Sequence, residues 1–326
     1  MAETLTMAKA LTSGLRKAME DDAHVVLMGE DIGRLGGVFR VTDGLQKDFG
    51  ENRVIDTPLA ESSILGTAIG LAMRGYRPVT EIQFDGFVYV AFDQIVSQLA
   101  KMHARSSGQV KLPVTVRIPF GGGIGAVEHH SESPEAYFAH TAGLRVLTPS
   151  NPVDAFHLVQ QAIACDDPVI FLEPKRRYWD KAEVDVAASP SLPMSAARVA
   201  KQGRDLTLVS YGPMVRTCLE AAAAAEADGV DIEVVDLRSL SPIDLDTVVS
   251  SVRRTGRCVV AHEASVFLGV AAEVAAFVTE ECFFELESPV LRVGGFHAPY
   301  PPSRLESHYL PDLDRILYAV DRAMAF

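Results

Sequence analysis

From end to end the chain alternates short apolar runs with longer segments whose apolar residues recur every three to four positions. That alternation constrains the fold more than any single motif, because it implies a largely parallel sheet covered by helices on both faces. Met7–Asp21 carries Leu11, Leu15 and Met19 at helical spacing, and residues 24–28 follow as an apolar strand. Residues 62–74 read as a buried helix and 76–83 as a strand. Residues 88–103 read as a helix with Val88, Phe92, Ile95, Leu99 and Met102 on one stripe. Strand-like runs recur at 113–118, 144–147 and 168–172. Between the last two, Asn151 stands as an N-cap with Pro152 at the first helical position and Asp154 in the first turn.

The pattern weakens over 180–199, a stretch with prolines and little periodicity that reads as a connector. A second block follows, with strands expected at 206–211, 232–237, 257–262 and 290–293. Helices are expected at 214–228, at 241–254 with Ser241 as cap and Pro242 first, at 269–281 and at 312–324. The expected organisation is α/β throughout: a first domain over 1–180, a linker over 181–200 and a smaller domain over 201–326. A length of 326 residues suits two domains of about 150 each.

The formal net charge is −13, which sets nucleic-acid and anionic-membrane partners far back. No apolar run approaches the roughly 18 residues of a spanning helix. The first residues lack a basic start followed by an apolar stretch, so a cytoplasmic protein is expected. Cys165, Cys218, Cys258 and Cys282 form no C-x-x-C pair. They read as buried thiols in a reducing compartment, not as a zinc or redox site.

Four segments could carry chemistry. In Asp56-Thr-Pro-Leu-Ala-Glu61, a strand ending near Ile55 gives way to a helix, which puts Glu61 at the carboxyl edge of the sheet, where open α/β sheets bind ligands. By position alone, a carboxylate stabilising a helix start, worth about 0.3–1 kcal/mol, is the simpler account. Gly66 and Gly70 lie four apart on the next helix and suit close packing, either within the chain or against another subunit. Gly121-Gly-Gly-Ile-Gly125 could cradle a phosphate, but no clear helix follows it, and a dinucleotide fingerprint requires one. A turn or active-site loop fits better. In Glu128-His-His-Ser-Glu-Ser-Pro-Glu135, adjacent histidines cannot both face one metal, whereas a single loop histidine suits proton transfer.

Together these segments resemble the beta subunit of the thiamine-diphosphate-dependent decarboxylase component of 2-oxo acid dehydrogenase complexes, of pyruvate or branched-chain type. The matching stretches include Gly29-Glu-Asp-Ile, Gly36-Gly-Val-Phe-Arg, Asp56 to Glu61, Glu81-Ile-Gln-Phe-Asp-Gly-Phe and His130-Ser-Glu-Ser-Pro-Glu135. Further on come Phe171-Leu-Glu-Pro-Lys175 and Val235-Asp-Leu-Arg-Ser-Leu-Ser-Pro-Ile-Asp244. The resemblance spans practically the whole chain, in order. It implies an N-terminal pyrimidine-binding domain with a mostly parallel sheet and a smaller transketolase C-terminal-type α/β domain. It also implies pairing with an alpha subunit as an α2β2 heterotetramer, thiamine diphosphate shared between the subunits, and magnesium held by the alpha chain. The G-D-G…N-N signature of that magnesium and diphosphate site is absent here.

Carried over residue by residue, Glu61 matches the glutamate that hydrogen-bonds the cofactor's aminopyrimidine ring. A carboxyl there favours the imino tautomer, whose exocyclic nitrogen can take the thiazolium proton. Leu59 matches a residue whose backbone approaches the pyrimidine, Gln83 one lining the same pocket, and Phe87 an aromatic neighbour where many relatives carry Tyr. His130 matches the histidine that delivers or orients a proton while the acyl group passes to the lipoyl arm of an acyltransferase core. His129 reads as a bystander, and His262-Glu263 could reach the cleft or be structural. The resemblance further implies a potassium ion on main-chain carbonyls at Leu112, Val114 and Thr115 and around Ala162, Cys165 and Asp167. The implied reaction is oxidative decarboxylation of a 2-oxo acid. A nicotinamide-dependent oxidoreductase using 121–125, or a non-catalytic scaffold subunit, are the alternatives.

Overall fold

The computed structural model describes residues 2–326. Its strands up to the end of the first block are β1 (Ala2–Thr6), β2 (Val25–Gly29), β3 (Val54–Asp56), β4 (Arg77–Glu81), β5 (Thr115–Phe120), β6 (Arg145–Leu147), β7 (Val169–Pro174) and β8 (Lys181–Asp185). The remainder are β9 (Arg198–Lys201), β10 (Leu206–Ser210), β11 (Ile232–Asp236), β12 (Ser239–Ser241), β13 (Cys258–Ser265) and β14 (Leu291–Gly295). A seven-stranded sheet runs β12-β6-β7-β5-β4-β2-β3, and a five-stranded sheet runs β14-β13-β10-β11-β9. Every pairing in the two is parallel except β12 with β6 and β11 with β9.

Strands β2, β5, β7, β10 and β11 are buried along their whole length, which is why they read as continuous apolar runs and not as alternation. The helix Met7–Asp21 buries Met7, Leu11, Leu15 and Met19 against the helix Pro152–Ala164. Each such side chain stabilises the fold by about 1.5–3 kcal/mol relative to exposure. Asn151 caps Pro152–Ala164 through a bond from Asp154 N at 3.0 Å, and Asp312 caps Leu313–Met324 in the same way at 2.9 Å. One core cluster joins Ile64, Leu65, Val116 and Ile170 of the first sheet's surroundings to Val209, Val235 and Val274 of the second.

Three expectations change. The stretch 88–103 is not one α-helix. Asp85–Ala91 winds as a 3-10 helix and Gln94–Leu99 as a π-helix, with Ala100 N bonding Ile95 O. The reason is spacing: 3-10 winding eclipses residues three apart, which aligns buried Asp85, Val88 and Ala91. The wider π turn then keeps Ile95 and Leu99, four apart, facing the core. The connector also holds structure, since β8 pairs antiparallel with β1 as a surface ribbon and β9 edges the second sheet. Finally, Asp244 and not Ser241 caps the helix Leu245–Thr255. Ser241 belongs instead to β12, which crosses over to edge the first sheet.

At the centre of the first sheet, Arg117 on β5 is bidentate to Glu173 of β7 (2.6 and 2.9 Å) and reaches Glu81 of β4 at 2.7 Å. Tyr178 adds its hydroxyl to Glu173 at 2.6 Å. All four side chains are buried. Removing the cation would leave two carboxylates unpaired in the core, so Arg117→Leu is expected to lower stability by about 3–5 kcal/mol, read as a fall in the urea midpoint.

Candidate active site

The carboxyl ends of β2, β3, β4, β5 and β7 lie along one edge of the first sheet, and the segments leaving them carry the chemistry-bearing side chains. Glu30 and Asp31 follow β2, and Leu59 and Glu61 follow β3. Gln83 to Phe87 follow β4, the glycine run and His130 follow β5, and Lys175 follows β7. Glu61 is the first residue of the helix Glu61–Met73 and its side chain is buried. Glu30 is buried too, and its Oε1 has no hydrogen-bond partner. Burial, then the charges of Glu61 and Asp31, push the Glu30 carboxyl above the usual range. Gln83 Nε2 donates to Glu30 O at 3.4 Å and to Asp31 Oδ2 at 3.3 Å. Leu59, by contrast, is 79% exposed. Glu30 was not singled out from the sequence, although a carboxylate directly after a strand, in Gly29-Glu-Asp-Ile, is the signal that marks it.

His130 stands against an aromatic wall. Its ring stacks on Phe84 (centroids 3.8 Å apart, planes 10° apart) and meets the edge of Phe87 at 5.1 Å. His130 Nδ1 is buried without a partner. His129 lies on the solvent side, half exposed and beside Glu128. Among the described residues no group of three or more His, Cys, Asp or Glu is placed to hold a metal.

The glycine run is taken by protein carboxylates. Gly121, Gly123 and Gly125 adopt φ of +84°, +87° and +70°, in the left-handed region that glycine enters freely. Their turn presents amides outward: Gly122 N donates to Glu263 Oε1, while Gly123 N and Gly125 N donate to the two oxygens of Glu306 at 2.9 and 3.1 Å. Arg176 backs Glu263 at 3.0 Å, and Tyr300 donates to Glu306 at 2.6 Å. The loop runs on into a 3-10 turn at Glu128–His130 and not into a helix. All four glycine amides of the run are therefore engaged within the protein, Gly121 N by Glu132 O, which argues against a nicotinamide-type phosphate cradle. Glu263, and not His262, reaches across; His262 is enclosed, and burial pushes it down to about 4.

The carbonyl segments at 112–115 and 162–167 are neighbours, joined where Val169 N donates to Val114 O at 2.9 Å. Leu112, Val114, Thr115 and Ala162 are buried. Cys165 O already accepts from Arg77 Nη1 at 3.0 Å, and the Asp167 carboxylate pairs with Arg145 at 2.8 Å. Cys165 is only partly buried, unlike the other three cysteines, and burial pushes Cys218 and Cys258 up to about 12.

Glu135 closes the His130 loop. It is fully buried, accepts from Tyr211 OH at 2.8 Å, and burial pushes it up to about 7 from an ordinary 4.5. The folded state therefore holds a proton that the unfolded chain has released, a contribution to stability present below about 4.5 and lost as pH rises through about 7. Glu135→Gln removes that titration. The variant is expected to match the parent near pH 4.5 and to exceed it above about pH 8 by about 3 kcal/mol, measured as the difference in Tm across a pH series.

Residues 3–180 match the family described as transketolase, pyrimidine binding domain, and residues 195–316 match transketolase, C-terminal domain. The chain is 60% identical over 324 residues to the pyruvate dehydrogenase E1 component subunit beta of Leifsonia xyli, covering 99% of this chain and 96% of that one. It is 54% identical over 325 residues to the 3-methyl-2-oxobutanoate dehydrogenase subunit beta of Mycobacterium tuberculosis, covering 99% and 93%. Among solved structures, a split gene transketolase described as an inactive beta4 tetramer is similar with a TM-score of 0.77 at 25% identity, over 98% of this chain and 99% of that one. With both domain families in order and relatives this similar along nearly its whole length, the chain belongs to the family of beta subunits of 2-oxo acid dehydrogenase E1 components, within the transketolase-like proteins.

Proposed function

We propose that this chain supplies the pyrimidine side of a thiamine diphosphate site shared with an alpha subunit in a cytoplasmic α2β2 enzyme. The enzyme decarboxylates a 2-oxo acid oxidatively and passes the acyl group to the lipoyl arm of an acyltransferase core. The observation that carries this reading is the buried pair Glu61 and Glu30, one of them with an unpartnered oxygen, beside Gln83 and the aromatic wall of Phe84 and Phe87. Such a setting offers a flat, apolar-faced heterocycle hydrogen bonds and an aromatic neighbour in Phe87, the Phe84 ring being stacked on His130. Thiamine diphosphate, when bound, supplies the carbon nucleophile and the electron sink that decarboxylation needs.

Each residue then has a task. Glu61 hydrogen-bonds the ring nitrogen and selects the tautomer, Gln83 and the Leu59 main chain line the ring, and Phe87 packs against it. His130 holds or moves a proton while the acyl group leaves for the lipoyl sulfur. Magnesium and the diphosphate fall to the alpha chain, because the G-D-G…N-N signature is absent here and the glycine-run amides that could meet a diphosphate are engaged by Glu263 and Glu306. Gly66 and Gly70 face open space on the helix Glu61–Met73, and we assign that face to a subunit contact. A potassium ion on the carbonyls of Leu112, Val114, Thr115, Ala162, Cys165 and Asp167 fits in part. Leu112 O, Val114 O and Ala162 O each accept one amide and keep a second lone pair, whereas at Cys165 O the ion shares the oxygen with the Arg77 guanidinium.

The test assembles the chain with an alpha subunit and thiamine diphosphate. It follows decarboxylation of pyruvate and of 3-methyl-2-oxobutanoate with an artificial electron acceptor, because the named relatives divide between those acids. Activity is expected only in the mixture. Glu61→Ala is expected to assemble normally and lose more than about a hundredfold in turnover. Undiminished turnover in that variant would overturn the assignment.

A further inference from the structure

We propose that the buried ion pair Asp85–Lys175 is a positioning device for His130, and so serves the acyl-transfer half of the reaction rather than decarboxylation. The inference deepens the reading of His130 given above and rests on it.

Both side chains are fully buried. A buried ion pair contributes little net stability over apolar side chains of the same volume, because desolvating two charges offsets their attraction. Its geometry points elsewhere. One Asp85 oxygen meets Lys175 Nζ, which leaves Oδ2 to accept the backbone amide of Glu132 at 2.7 Å. Glu132 is two residues beyond His130, so this bond anchors the end of the histidine's turn. The opposite end is held by His130 N donating to Val127 O at 3.0 Å.

Phe84, directly before Asp85, is the ring on which His130 stacks, and Lys175 Nζ lies 5.5 Å from the centre of that same ring. Gly86, directly after, lets the 3-10 turn press against the histidine loop: a Cβ there would come within 2.4 Å of His129 O. Three consecutive residues, 84 to 86, thus touch the loop by ring, carboxylate and backbone.

What makes this anchoring consequential is the missing orienter. An imidazole in a site is usually fixed by a hydrogen bond from its second ring nitrogen to a carboxylate or carbonyl. His130 Nδ1 is buried and has none. The Phe84 stack, the Phe87 edge and the pinned turn set the ring plane instead. Lys175 holds the Asp85 carboxylate in the rotation that turns Oδ2 toward Glu132.

The test uses the assembled, cofactor-loaded complex and two readouts: decarboxylation with an artificial acceptor, and acyl transfer to free lipoamide. Asp85→Ala with Lys175→Met removes the pin without leaving a buried charge unpaired. It is expected to lower acyl transfer between about tenfold and a hundredfold while decarboxylation stays within about twofold. Asp85→Asn with Lys175→Met keeps an oxygen for the Glu132 amide and is expected to restore most of the loss. His130→Ala serves as the reference and is expected to lose acyl transfer at least as deeply as the Ala/Met variant. An equal fall in both readouts for the Ala/Met variant would mark a purely structural pair, and no fall in either would mark an idle one; both outcomes overturn the positioning role alone if His130→Ala loses acyl transfer. Undisturbed acyl transfer in His130→Ala would remove the reading of His130 and this inference with it.

Discussion

The guanidinium of Arg117 lies between two carboxylates at the point where β4, β5 and β7 approach their carboxyl ends, and most of the candidate site is suspended from those three ends. Glu81 pairs directly opposite Arg117 in the ladder, while Glu173 sits two positions further along β7, within reach of the same fork. Burial keeps Glu81 above the usual carboxylate range even beside the cation. Such a cluster adds little to stability for its size, but it holds three strands at one relative height. Four residues beyond Glu81 is Asp85, thirteen beyond Arg117 is His130, and two beyond Glu173 is Lys175. A shift of one strand against another would separate those three groups.

The site divides its polar groups between two kinds of work. Glu30 and Glu61 are both buried, Gln83 bonds beside Glu30, and one Glu30 oxygen is left without a hydrogen bond, the condition in which a ligand's donor improves the satisfaction of a buried group. Asp85, Glu263 and Glu306 spend bonds on the main-chain amides of Glu132, Gly122, Gly123 and Gly125, while Glu135 accepts from the Tyr211 hydroxyl and Lys175 meets Asp85; Glu135 and Glu263 each also keep one buried oxygen without a hydrogen bond. Carboxylates on the two sides of that line are indistinguishable by residue type. Place in the fold, not residue type, separates them.

That distinction also explains what could be read from the sequence. Features set by neighbours within a few residues were legible: the helix Met7–Asp21, the Asn151 cap with its proline, and the Asp312 terminus. Glu61 was legible as a carboxylate at a sheet edge, and the role proposed for it only through the surrounding motif. Features set by distant partners were not. β8 is held by β1, almost the length of the first domain away, and its alternation is faint because the ribbon is mostly exposed. The glycine run looked like an anion cradle because its amides do bind anions, supplied from 141 to 183 residues downstream. The broken winding of 85–99 was present in the spacing of its buried residues, three apart and then four, but a template of 3.6 averages the two together.

Strand β12 carries a consequence for how such a molecule can be rearranged. Residues 239–241 leave the second sheet's territory, lie against β6, and return; Ser241 Oγ donates to Leu144 O at 2.9 Å, and Thr148 N donates to Arg238 O at 2.9 Å. The terminal strand of the first sheet is thus encoded beyond the chain's apparent midpoint. Cutting or recombining genes anywhere between β8 and β12 would hand one product a sheet with a naked edge and the other a strand with no sheet to join. The two halves look like exchangeable modules along the sequence, yet in space they are spliced, and inheritance of one entails inheritance of the other.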